Sequence, residues 1–139
     1  MKNNEQIFDL SSYRTLLRYL LASKLDIKNF NDDLSKGRNL IMRHDIDFCP
    51  ARALELAELE RRNNIKSTFF FLVNTDFYNL NTNENINIVK KILSLGHKIG
   101  LHFDADIYTD YVSMNKACKN ELNILENIIS RDIDIISFH

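Results

Sequence analysis

Two short stretches carry the residues whose types and spacing could do chemistry. The first runs Leu40-Ile41-Met42-Arg43-His44-Asp45-Ile46-Asp47: an apolar strand-like run that ends in two carboxylates one residue apart, with a histidine beside them. On an extended backbone Asp45 and Asp47 point to the same side. Two close carboxylates do not both stay ionised cheaply unless a cation lies between them or one takes a proton. Such a pair suits a metal site, or a division of labour between a general base and a ligand. It also suits a plain surface turn in which Asp47 caps the following helix. The second stretch, Leu95 to Asp106, repeats the pattern, with a short apolar run ending in His102, Asp104 and Asp106. His102 and Asp106 would share a face if the chain turned helically after the strand, and imidazole with carboxylates is a reasonable shell for a divalent ion. Asp104 is an equally available oxygen ligand, and all three acids also suit a solvated loop. His97, just after Gly96, reads as a turn-fixing residue.

The elements that must position these groups alternate. Tyr13, Leu16, Leu17, Leu20 and Leu21 have helical spacing over residues 11–24, with Ser11 or Ser12 as the N-cap. Residues 26–36 read as a weaker helical or irregular segment closed by Gly37. A strand over 39–44 leads to Pro50, which suits the first position of a helix over 51–63. Ser67 to Val73 is a strand without polar alternation, the pattern of burial on both faces. A helix over 84–95, a strand over 98–102, a helix over 114–130 and a strand over 133–138 complete a β-α-β-α-β-α-β order. That order demands parallel strands joined by right-handed crossovers. The last strand lacks a following helix, so its edge needs cover from the N-terminal helices or another chain.

Composition excludes several classes. With 139 residues, 45% of them hydrophobic and 27% charged, the chain suits one globular domain with a working core. A net charge of -1 gives no electrostatic reason to expect a nucleic acid or an anionic membrane. The N-terminus, Met1 to Gln6, is polar, and no apolar run approaches a membrane span. Cys49 and Cys118 have no metal-type spacing and read as free thiols in a reducing compartment. The expected location is the cytoplasm.

Together, Arg43-His44-Asp45-Ile46-Asp47, Thr68-Phe69-Phe70-Phe71 and Leu95-Gly96-His97-Lys98-Ile99-Gly100-Leu101-His102 resemble the polysaccharide deacetylase (NodB-like, carbohydrate esterase family 4) superfamily. The resemblance is strongest to the branch found in bacterial surface-polysaccharide gene clusters, and it covers residues 39–139. It implies an α/β fold: part of a distorted (β/α) barrel within one domain, residues 1–38 adding an N-terminal helical segment. It also implies a divalent metal at the strand tips, zinc first and cobalt, nickel or manganese as alternatives. The implied reaction removes acetyl groups from an N- or O-acetylated sugar or oligosaccharide in surface-polysaccharide biosynthesis. Asp45 falls where the family's general base lies and Asp47 where its metal-binding Asp lies; the intervening Ile46 leaves the reverse assignment open. His102 matches the first histidine ligand, and Asp106 occupies the position of the second. His139 falls in or beside an arginine position, and Arg43 and His139 are assigned to substrate binding. The family's later motifs, including a general-acid histidine, are not in this sequence. The chain therefore reads as the N-terminal half of such a barrel, completed by a separate C-terminal half or by self-association. The alternatives are a non-catalytic remnant that pairs through its open edge and, last, a D-x-D nucleotide-sugar glycosyltransferase, for which no basic or Gly-rich phosphate cradle is present.

Overall fold

A computed structural model describes residues 9–139; the polar stretch Met1 to Gln6 lies outside the described residues. In chain order the elements are α1 (Leu10–Ala22), β1 (Asp26–Lys28), β2 (Asn39–Ile41), β3 (Arg43–Ile46), α2 (Pro50–Arg62), β4 (Thr68–Leu72), α3 (Asn83–Ser94), β5 (Lys98–Phe103), α4 (Tyr111–Ile129) and β6 (Ile136–Phe138). β3, β4, β5 and β6 form one parallel sheet in sequential order, as the alternating pattern predicts. β1 and β2 form a separate parallel pair.

Three expectations change here. The single strand expected over 39–44 is two strands divided at Met42, the first pairing with β1 and the second with β4. Residues 26–36 open with β1 rather than a helix and continue as an irregular segment to Gly37, whose φ of 80° lies in the left-handed region that glycine tolerates. The N-cap of α1 is Asp9, whose carboxylate accepts from the Ser12 backbone N–H at 2.7 Å, in place of Ser11 or Ser12.

Alternation along each strand divides the sheet into two faces. Ile46, Phe69, Phe71, Ile99, Leu101 and Phe103 point one way and form the main core with α2, α3 and α4. Arg43, Asp45, Phe70, Gly100, His102 and Ser137 share the other parity; the register sets Asp45 beside Phe70, Phe70 beside Gly100, and His102 between Leu72 and Ser137. All of β4 is buried, on both faces. Phe70 is sealed by the Phe30 ring, edge-on with centroids 6.0 Å apart, and by the Arg43 guanidinium 4.8 Å from its centroid. The segment carrying Phe30 also reaches β6's side of the sheet, where Asn31 donates to Asp134.

The sheet is curled. β3 and β6 are three strand spacings apart, about 14 Å across a flat sheet. Yet the Arg43 Nη2 donates to Ser137 Oγ at 2.5 Å, and the side chains that follow the two strands meet. A half-barrel results, with helices outside and the Arg43 face inside. Gly100 leaves room for the Phe70 ring on the concave face: a Cβ there would lie 2.5 Å from Phe70 Cε1 and 3.1 Å from Ile135 Cγ2. Gly100→Ala is therefore expected to cost about 1–3 kcal/mol of stability, read as a lower urea midpoint; an unchanged midpoint would show that Phe70 moves freely.

α1 does not cover the exposed edge. Tyr13 and Leu17 pack with Leu59 and Ile65, beside Met42 and Ile27. β6, paired among the described residues only with β5, leaves Ile136 and Phe138 exposed. No helix of the described residues is long and apolar enough to cross a membrane, and Cys49 and Cys118 are free thiols.

Candidate metal centre

Three side chains of the inward parity converge at the C-terminal tips of the strands, where parallel α/β sheets place their sites. Asp47 lies one residue past β3, His102 is the penultimate residue of β5, and His139 lies one residue past β6. One ligand atom from each falls within 4.8 Å of the others. The Asp47 Oδ1 is 3.3 Å from His102 Nε2 and 4.0 Å from His139 Nε2. Two bonds of about 2.1 Å to a tetrahedral ion put neighbouring ligand atoms roughly 3.4 Å apart, so these separations suit one shared cation.

Hydrogen bonding favours the same conclusion. The Ser137 carbonyl can only accept, so the His102 Nδ1–H donates to it at 3.1 Å. In the neutral ring Nε2 then presents a lone pair to a carboxylate oxygen. The Asp47 Oδ1 is buried and has no hydrogen-bond partner. Two facing acceptors are unfavourable until a proton or a metal ion separates them. A ring that gives its other N–H to a backbone carbonyl is the usual arrangement of a ligating histidine. One carboxylate oxygen and two imidazole nitrogens suit zinc and its first-row neighbours.

The tip of β3 is fixed by Tyr78. Its hydroxyl donates to the Ile46 carbonyl at 2.7 Å and accepts from the Leu72 N–H at 3.0 Å, holding the last turn before Asp47 against β4. Burial, with Asp47 adding to it, keeps the phenol protonated well above its ordinary value. α2 then starts at Pro50, and its N-cap is Cys49, without a side-chain cap. Asp47 is therefore not the helix cap that a surface turn would have made of it.

The other expected site residues divide. Asp45 lies on the inner face below Asp47, and the Arg43 Nη2 donates to both its oxygens at 2.7 Å. Arg43 thus holds Asp45, Phe70 and Ser137 together, a structural role beside the substrate contact expected of it. His139 joins the metal group in place of its expected role at the substrate. Asp106 does not join it. The chain after Phe103 runs as a loop instead of turning helically, Asp106 is exposed, and its N–H donates to Asp104 Oδ1 at 3.1 Å. The signal that finds His139 is strand parity: it lies two residues beyond Ser137, on the same side.

His44, adjacent to the acids in sequence, is turned to the helix side. There the Glu60 carboxylate, fully buried on α2, accepts from His44 Nε2 at 2.7 Å, from Ser67 Oγ at 2.8 Å and from the Tyr13 hydroxyl. Burial alone would raise the Glu60 pKa, but these donors outweigh it and hold the carboxyl below its ordinary value. His97 accepts from the Ser67 N–H at 3.1 Å and donates to the Ala57 carbonyl at 2.9 Å, the turn-fixing role expected of it. Burial lowers its pKa, so it stays neutral.

A cleft of about 440 Å³ opens beside the metal group, bounded by Asp47, Asn74, Asp76, Phe77, Asp104 and His139 among others. Behind it Glu121 on α4 is pushed up to about 7, first by burial and then by the negative Asp104. No protein-family model matches the chain, and no curated protein or solved structure matches it either.

Proposed function

We propose that this chain carries the metal-binding site of a hydrolase of the polysaccharide deacetylase type, acting on an acetylated sugar in surface-polysaccharide biosynthesis. The observation that carries the reading is the convergence of Asp47, His102 and His139 at the strand tips, with Asp45 on the same face below them. The sequence resemblance supplies the reaction; the geometry supports it by setting an Asp and two His around one point. A divalent ion held there supplies Lewis acidity for the acetyl carbonyl and lowers the pKa of a water. His102 would hold that ion from a buried position, Asp47 from a half-buried one and His139 from the solvent side. Asp45 is the proton acceptor for the attacking water. The Arg43 guanidinium donates to both of its oxygens and fixes the carboxylate on the concave face. The cleft beside His139 receives the sugar.

The glycosyltransferase alternative is disfavoured because, among the described residues, no Lys or Arg lines the cleft to meet a diphosphate. The interaction-module alternative draws its support from the exposed Ile136 and Phe138 on β6, which say nothing about the ligand group.

The test is acetate release from chitotetraose and from O-acetylated xylan by the zinc-loaded chain. Asp45→Asn is expected to lower the rate about 10²–10⁴-fold while zinc binding persists. No acetate release from a zinc-loaded, folded chain would sink the proposal, as would full activity in Asp45→Asn.

A further inference from the structure

Two aromatic rings at the mouth of the cleft have no structural reason to be there. Phe48 and Phe77 are 64% and 63% exposed, although each is a large apolar side chain. They pack edge to face, with centroids 4.5 Å apart at 70°, so each limits the other's rotation and the pair presents a fixed apolar surface to solvent. Phe48 follows the ligand Asp47 directly, and Phe77 follows Asp76 in the connection after β4. Both line the cleft that holds His139 and Asp47. Two Asp-Phe pairs from separate loops thus bring an aromatic surface and carboxylates to one opening.

We propose that Phe48 and Phe77 form the platform on which an uncharged sugar ring lies beside the metal group, and that the cleft rejects anionic sugars. This rests on the hydrolase reading of the same site and adds what selects its substrate. One face of a pyranose carries axial C–H groups with partial positive charge, which meet the negative face of an aromatic ring. Its hydroxyls are donors, and the groups around the platform are acceptors: Asp76, Asp104 and the Asn74 amide oxygen. Among the described residues, no Lys or Arg lines the cleft. A carboxylated, sulfated or phosphorylated sugar would meet the carboxylates of Asp47, Asp76 and Asp104, whose combined charge a single divalent ion at the ligand group does not fully offset. A flat protein partner is the poorer fit, because the pair opens into a concave pocket continuous with the ligand group.

The experiment compares the full chain with Phe48→Ala and Phe77→Ala, using zinc alone, chitotetraose and an α2,8-linked N-acetylneuraminic acid tetramer as calorimetric probes. Both substituted positions are exposed, so circular dichroism should show the fold retained. Each substitution is expected to weaken chitotetraose binding about tenfold, with Phe48→Trp restoring it and zinc binding equal in all variants. The sialic acid tetramer should bind at least about tenfold more weakly than chitotetraose, and Asp76→Lys should narrow that gap. Equal chitotetraose affinity in the alanine variants would overturn the platform, as would equal affinity for the two tetramers, or no binding of chitotetraose to the parent chain. Failure here and failure of the hydrolase reading are separable. Acetate release with an unchanged KM in both alanine variants removes the platform and keeps the hydrolase. Phe-dependent chitotetraose binding without acetate release does the opposite.

Discussion

His102→Ala abolishes tight binding of divalent zinc by this chain, and Asp47→Ala does the same. That is the expected calorimetric result, and its size follows from the geometry. With three ligand atoms within 4.8 Å of one another, removing one leaves two, and the affinity should fall at least about a hundredfold. His102 carries the most because its Nδ1–H is held by the Ser137 carbonyl, so its Nε2 is aimed before any ion arrives. His139→Ala should lose somewhat less, since that ring is half exposed and lies farther from Asp47. Asp106→Ala should bind as the parent does. Stoichiometric zinc binding that survives both Asp47→Ala and His102→Ala would place the ion elsewhere and remove the site.

The contrast between Asp106 and His139 shows where the sequence is legible. The tips of the first and third long strands are readable because apolar runs ending in Asp45, Asp47 and His102 announce both the strand and its polar end. The i, i+4 spacing of His102 and Asp106 has meaning only on a helix, and the chain after Phe103 does not form one. His139 is set by register across β5 and β6, a long-range pairing that no local window contains. The same limit hides β1, a three-residue strand whose identity depends wholly on its partner Asn39–Ile41. It also hides the break at Met42, because a run of apolar residues does not reveal that its halves belong to different sheets. The helices α3 and α4 and the buried strand β4 carry long, strong periodic or apolar patterns and are found within a few residues.

Glu60→Ala should be the most damaging single change to stability, costing about 3–5 kcal/mol, a large share of the 5–15 kcal/mol typical of a domain. The loss would exceed that of a surface ion pair because the carboxylate is fully buried, and its removal strands the Tyr13 hydroxyl, the Ser67 hydroxyl and the His44 N–H in an apolar surround. α1 is attached to α2 through this cluster, so its detachment should accompany the loss. The pH dependence has a definite sign. Because the folded carboxyl titrates below its unfolded value of about 4.5, the native state binds fewer protons. Its contribution is complete above that value and is lost as pH falls through the lower folded value. Urea midpoints of the parent chain should drop on acidification below about pH 4.5, and this component of the drop should be absent in Glu60→Gln. An acid profile identical in the two proteins would show that Glu60 is not the group responsible.

The curl of the four-stranded sheet has a mechanical consequence. β3 and β6 share no backbone ladder; their tips are joined across the open side by the Arg43–Ser137 contact and by the approach of Asp47 to His139. An ion seated between those tips would act as a clasp on a bent spring, tightening a curvature that hydrogen bonds between neighbouring strands leave adjustable. By mass action the clasp adds about 2.7 kcal/mol at a hundredfold excess of ion over its dissociation constant. The same coupling runs backwards: whatever straightens the sheet, from loosening of Phe70 over Gly100 to loss of the Arg43 strut, spreads the ligands apart and weakens the grip on the ion.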